Sequence, residues 1–174
     1  KLQSLEIFAS TMYSLEYLTA SFNRICDISP LVGLERLIEL DVSHNKIESL
    51  APLADLVRLR SLRCNNNLVT SLDPIVRLAS LEVLWMSNNA IRWEQLLYLQ
   101  SYPDLRELVL YGNPCDDKHS RNVTFALGLC AHHLESIDGV YFLPEEKKTA
   151  EAFLRSTDGR VMMTKARAHL SPQQ

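Results

Sequence analysis

From Leu15 onward the apolar residues repeat one order: Leu-x-x-Leu-x-(Leu/Val/Cys/Met/Ala)-x-x-Asn-x-(Ile/Val)-x-x-(Ile/Leu)-x-x-(Leu/Ile). The units begin at Leu15, Leu37, Leu59, Leu81 and Leu105. Each opens with strict alternation, as in Glu39-Leu40-Asp41-Val42. Alternation predicts a short strand whose side chains point in and out by turns. The inward pairs are Leu40/Val42, Leu62/Cys64, Leu84/Met86 and Leu108/Leu110. One such unit cannot bury its own apolar face, so the pattern predicts stacked coils sharing one core.

One polar residue stays in register with these positions. Asn23, Asn45, Asn67, Asn89 and Asn113 are spaced 22, 22, 22 and 24 residues apart. A short amide both donates and accepts, so each is expected to satisfy turn backbone of adjacent coils from inside. Pro30, Pro52 and Pro74 recur seven residues after the asparagine. They predict a turn or short helix start, not a second strand, on the opposite side. Trp93, in the longer unit, is expected in that convex side of the core.

The ends differ from the middle. Residues 1–14 fit the repeat weakly; Leu2, Leu5, Phe8 and Met12 have helical spacing and are expected to cover the open N-terminal end. After Asn113-Pro114 the repeat stops, and Val123, Leu127, Cys130, Leu134 and Ile137 suggest a helical cap. Ile137-Asp138-Gly139 reads as its closing turn. Pro144-Glu145-Glu146 signals a helix start, with the helix running to about Leu154. A second helix is expected over Arg160–Leu170, with Val161, Met162, Lys165 and His169 on one side. Ser171–Gln174 is expected to be disordered. The organisation is thus a partial N-terminal repeat (1–14), repeats (15–114), a cap (115–143) and a helical tail (144–174).

Composition narrows the function. No apolar run is long enough for a membrane helix, and no membrane partner is expected. No signal-peptide pattern is present, and a start at Lys1 instead of Met is consistent with a trimmed N-terminal segment. Residues 1–144 carry 12 Lys/Arg against 17 Asp/Glu, and residues 145–174 carry 6 against 4. An acidic body with a mildly basic tail argues against direct, charge-driven DNA binding. Cys26, Cys64, Cys115 and Cys130 lack a disulfide framework, which favours reduced thiols in the cytoplasm or nucleus. The sequon Asn122-Val123-Thr124 then carries no weight.

Candidate chemistry is sparse. With five glycines there is no phosphate loop, and no nucleophile motif is present, so neither enzyme nor cofactor is expected. Cys115, His119, Cys130, His132 and His133 form the best metal cluster, but their spacing matches no zinc module. The preferred reading is a cap-core thiol with surface histidines. Asp116/Asp117 reads as a solvated turn. The outward strand positions say more. They run Tyr17/Thr19/Ser21, Glu39/Asp41/Ser43, Ser61/Arg63/Asn65, Val83/Trp85/Ser87 and Glu107/Val109/Tyr111. Val83, Trp85, Val109 and Tyr111 fall together on adjacent strands, the mark of an interface, with Trp85 as anchor. The candidate partner-binding set is Trp85, Val83, Val109, Tyr111, Glu107, Arg63, Asp41, Glu39 and Tyr17.

The units resemble the 22-residue leucine-rich repeats typified by a regulatory subunit of protein phosphatase 1. That resemblance implies an α/β solenoid: a right-handed horseshoe with a parallel concave sheet and a helical C-terminal cap. It implies protein binding rather than catalysis. Ser71–Leu96, with "MSNNAIRW", is similar to axonemal outer-arm dynein light chains. They would engage a dynein heavy chain, or another axonemal or cytoskeletal protein, in the cytoplasm or ciliary axoneme. The run "NPCDDKHSRNV" and the helix "EEKKTAEAFL" resemble the spliceosomal A-prime proteins. Those would hold an RNA-recognition-domain partner in the nucleus. A phosphatase regulatory subunit is the remaining alternative.

Overall fold

The structure is a computed structural model that describes residues 1–6, 12–115, 126 and 133–170. The alternating tripeptides form β1 (Tyr17–Thr19), β2 (Glu39–Asp41), β3 (Ser61–Arg63), β4 (Val83–Trp85) and β5 (Glu107–Val109). Two further strands follow, β6 (Ser136–Ile137) and β7 (Val140–Tyr141), and the sheet runs β1 to β7 in chain order. Pairing is parallel through β6 and antiparallel only between β6 and β7. The register is the repeat itself: Leu18, Leu40, Leu62, Leu84 and Leu108 lie side by side.

Each coil turns one residue before its asparagine. There the backbone becomes left-handed, at Phe22, His44, Asn66 and Asn88 (φ 51 to 58°) and Gly112 (φ 73°). Asn, His and Gly accept this region more readily than a bulky aromatic does. Phe22 nevertheless occupies it, its ring stacked on that of His44 with centroids 4.0 Å apart. At Gly112 a Cβ would press on the Asn88 amide, lying 3.0 Å from its Cγ. The return limbs are short 3₁₀ turns at Ser29–Leu31, Ala51–Leu53 and Asp73–Ile75, each opened by one of the expected prolines. In the longer unit this limb extends to Trp93–Ser101 and buries Leu96 and Leu99. Trp93 packs partly buried against the core, on the side expected.

All eight inward strand residues are buried. The asparagines form a ladder beneath them. Asn67 Oδ1 accepts from the Ile47 N–H (2.9 Å), while its Nδ2 donates to the carbonyls of Val42 (3.1 Å) and Cys64 (3.2 Å). Asn45, Asn89 and Asn113 repeat the arrangement one coil earlier or later. At the N-terminus Asn23 accepts from Leu2 N–H (2.8 Å), so the leading segment stands in for a preceding coil. Leu5 is buried there, but Leu2 and Met12 are exposed, contrary to the helical-face expectation. The segment docks by backbone hydrogen bonds more than by an apolar stripe. Phe8 lies outside the described residues.

Cys26, Cys64 and Cys115 form no disulfide among the described residues. Burial, with the Asp41 carboxylate adding to it, pushes the Cys64 thiol up to about 12, from an ordinary value of 9.0. The unfolded chain releases this proton at lower pH than the folded chain, so unfolding becomes easier as pH rises from about 9 to about 12. At pH 8 iodoacetamide should modify exposed Cys26 in the native protein and reach Cys64 only after denaturation. Equal labelling of both by mass spectrometry would contradict this packing.

The expected closing turn is a two-residue hairpin, with Asp138 (φ 52°) and Gly139 (φ 79°) both left-handed, as a type I′ turn requires. The Asp138 carboxylate accepts the N–H groups of Leu110 (2.6 Å) and Tyr111 (3.0 Å), which would otherwise end the last full coil unsatisfied. The helix expected over the preceding cap lies largely outside the described residues, as do Asp116, Asp117, His119, Cys130, His132 and Ser171–Gln174.

Two helices follow: α1 (Pro144–Arg155) and α2 (Thr157–Leu170). Pro144 opens α1, and Glu146 Oε2 accepts the Leu143 N–H at 2.8 Å. One residue joins the helices. The Ser156 hydroxyl donates to the Phe153 carbonyl (2.6 Å) and accepts the Gly159 N–H (3.2 Å), ending α1 and capping α2. The chain then folds back, laying α2 against the Trp93–Ser101 limb. The inner side of α2 is Gly159, Met162, Met163 and Ala166. Val161, Lys165 and His169 of the expected face are exposed, because close approach at the corner selects small residues over the most apolar ones. A Cβ on Gly159 would collide with the Phe153 carbonyl and lie 2.7 Å from the Leu154 Cα. Backbone cannot yield as a side chain can, so Gly159→Ala should destabilise by about 1–3 kcal/mol. Hydrogen exchange should then show α2 opening before the repeats; unchanged protection of α2 would refute this corner.

Candidate partner-binding face

The outward positions form rows across the sheet. Along one row Tyr17, Glu39, Ser61, Val83 and Glu107 are register partners; along the next come Thr19, Asp41, Arg63, Trp85 and Val109. Eight of the nine candidate residues therefore share one face, and Tyr111 follows two residues after β5. Tyr17, Glu39 and Tyr111 are exposed, while Asp41, Arg63, Val83, Trp85, Glu107 and Val109 are half-buried by their neighbours.

The rows carry different chemistry from end to end. Tyr17, Glu39 and Asp41 make the N-terminal third aromatic and acidic, around a cleft of about 40 Å³ that reaches Ser61 and Arg63. Toward the C-terminus Trp85 pairs with Val109, but Val83 pairs with Glu107, so the apolar cluster is interrupted by a carboxylate. Arg63 intrudes from the other side, its guanidinium carbon 4.6 Å from the Trp85 ring centroid. This cation–π contact spans adjacent strands and holds both side chains against the sheet. The sequence places both residues on the face, and their spacing of 22 residues makes them register neighbours, but it does not reveal the stack.

Above this, polar groups lock together. Asp41 Oδ1 accepts the Ser43 N–H (2.9 Å), Ser43 Oγ accepts the Asn65 N–H (3.2 Å), and Asn65 Oδ1 accepts both N–H and hydroxyl of Ser87. By contrast Arg63 Nε and Trp85 Nε1 are buried donors with no hydrogen-bond partner among the described residues. Two unsatisfied donors side by side are unusual in a folded protein. No group of metal-ligating side chains occurs among the described residues.

Parallel strands stacked at the repeat period, with an asparagine ladder inside and 3₁₀ limbs outside, define a solenoid repeat fold. The family model for leucine-rich repeats in two copies matches residues 13–55, 35–77 and 57–97. The chain is a leucine-rich repeat protein. No curated protein matches it. Among solved structures, internalin C2 of Listeria monocytogenes aligns with a TM-score of 0.65 and 29% identity, over 79% of this chain and 55% of that one. Internalin F of the same organism gives 0.58 and 23%, over 79% and 44%. The chain spans about half the length of these internalins. The SNF/U2A′ complex of Drosophila melanogaster gives 0.67 and 19% identity, over 86% of this chain and 87% of that one, a likeness of fold. The chain is thus an α/β solenoid with helices at its C-terminal end, and the family's general use is protein–protein interaction.

Proposed function

We propose that the chain is a non-enzymatic adaptor that grips a protein partner on its concave face, with Trp85 as the anchor. The observation carrying this is the Arg63–Trp85 stack with its two unsatisfied donors, flanked by Val109 and Tyr111. Aromatic and arginine side chains held rigid at a patch centre are the usual hot-spot residues. A partner supplying carbonyl or carboxylate acceptors there would satisfy both donors after a small shift. The acidic end at Glu39 and Asp41 suits basic residues of the same partner.

The setting we favour is axonemal, with a dynein heavy chain or another cytoskeletal protein as partner, supported by the similarity of Ser71–Leu96. A spliceosomal setting, with an RNA-recognition-domain partner in the nucleus, is supported by the fold likeness to the SNF/U2A′ complex over nearly the whole of both chains. A phosphatase partner rests on the repeat class alone. Affinity capture from ciliated-cell and nuclear extracts separates these: dynein components, small nuclear ribonucleoprotein components or phosphatase. The paired change Glu39→Lys with Asp41→Lys should abolish capture; a partner retained by this variant docks elsewhere.

A further inference from the structure

Where the strands begin, the residues just before them form a row of their own. Glu16, Ile38, Arg60, Glu82, Arg106 and Glu135 are linked in sequence, each N–H bonding to the carbonyl of the residue before it in the row. Charges along this rim are paired between coils: Arg60 with Glu82 (3.3 Å), Arg106 with Glu135 (4.0 Å) and Arg36 with Glu16 (3.9 Å). The pairing fails once. One coil after the Arg36–Glu16 pair, Arg58 stands at the position of Arg36 and Ile38 at that of Glu16. Arg58 therefore makes no ion pair with any described residue.

At that gap lies a cavity of about 300 Å³ lined by Tyr17, Ile38, Arg58, Arg60 and Ser80. We propose that it binds a phosphate monoester carried on an aromatic ring, of the kind a phosphotyrosine side chain presents. A guanidinium offers a planar pair of donors matched to phosphate oxygens, and two are within reach here. Tyr17 and Ser80 add hydroxyl donors. The ester carries close to two negative charges at neutral pH, which suits an unpaired arginine on a rim of an otherwise acidic body. The space also exceeds a bare phosphate. At about 30 Å³ per water it has room for roughly ten waters, and Tyr17 and Ile38 wall the remainder for a ring. Tyr17 is shared with the concave face, but the two arginines and Ile38 lie off it, so the site stands independently of the partner reading.

Titration of the intact chain with phenyl phosphate, inorganic phosphate and a phosphotyrosine peptide, followed at the arginine side-chain N–H signals by NMR, tests this. Phenyl phosphate should give saturable shifts at Arg58 and Arg60 and bind at least ~10-fold more tightly than inorganic phosphate, since only it fills the apolar wall. Arg58→Ala should weaken it by ~10-fold or more, Arg58→Lys by less because charge survives without the fork, and distant Arg92→Ala not at all. Tighter binding of the peptide than of phenyl phosphate would identify a protein-borne ester. Absence of saturation, equal affinity for the two phosphates, or an effect of Arg92→Ala equal to that of Arg58→Ala would overturn the proposal.

Discussion

Asn67→Leu is expected to destabilise the fold by about 3–5 kcal/mol, although leucine shares the branched outline of asparagine and suits a core. Asn67 is buried, and its amide serves both coils that meet there. Leucine would leave the buried Ile47 N–H without its acceptor, at about 1–3 kcal/mol, while the Val42 and Cys64 carbonyls would keep only the Asn45 and Asn89 amides. Its extra bulk in a close-packed site adds about 1–3 kcal/mol. For a chain of this length the melting temperature should fall by roughly 10 °C. Arg58→Ala, on the exposed rim, should stay within about 0.5 kcal/mol and provides the comparison. Calorimetry on both variants decides; a larger loss at Arg58 than at Asn67 would mean that the ladder is not what joins the coils.

Trp85→Ala should weaken the partner by about 2 kcal/mol or more, roughly 30-fold in affinity, while the repeats stay folded. The ring is half-buried and outside the coil core, so its removal opens no internal cavity. What is lost within the chain is the Arg63 contact, about 0.5–1 kcal/mol. The variant therefore separates binding from stability. Trp85→Phe keeps a ring face for Arg63 but removes the N–H donor, and should fall between the two. Affinity unchanged in Trp85→Ala, measured by calorimetric titration against the captured partner, would remove this face from the interface.

The repeats were legible because one polar position, the asparagine, stays fixed against three or four apolar ones. That combination forces both the strand register and the ladder, and the structure places Asn45, Asn67 and Asn113 where the pattern requires. The Asp138-Gly139 turn was legible for a similar reason, since few dipeptides accept two left-handed residues. The inner face of α2 was not. Gly159 and Ala166 carry almost no apolar signal, yet their lack of bulk is what lets α2 approach, while Val161 looks apolar and faces out. The left-handed Phe22 was hidden too, because sterics disfavour a bulky aromatic there, and its stack on His44 depends on a neighbour one coil away. On the binding face, side-chain direction could be read from alternation, but the Arg63–Trp85 stack depends on rotamers that no spacing encodes.

Between coils, each ladder amide reaches in one direction only, toward the coil that precedes it. The N–H of Ile25 is met by Asn45, that of Ile47 by Asn67, that of Val69 by Asn89 and that of Ile91 by Asn113. A chain leaving the ribosome from its N-terminus therefore holds its newest coil incomplete until about 20 more residues have emerged. Ribosome-bound chains whose emerged part ends just short of Asn113 should leave the fourth coil open to protease while the earlier coils resist, so structure trails emergence by one coil throughout the array.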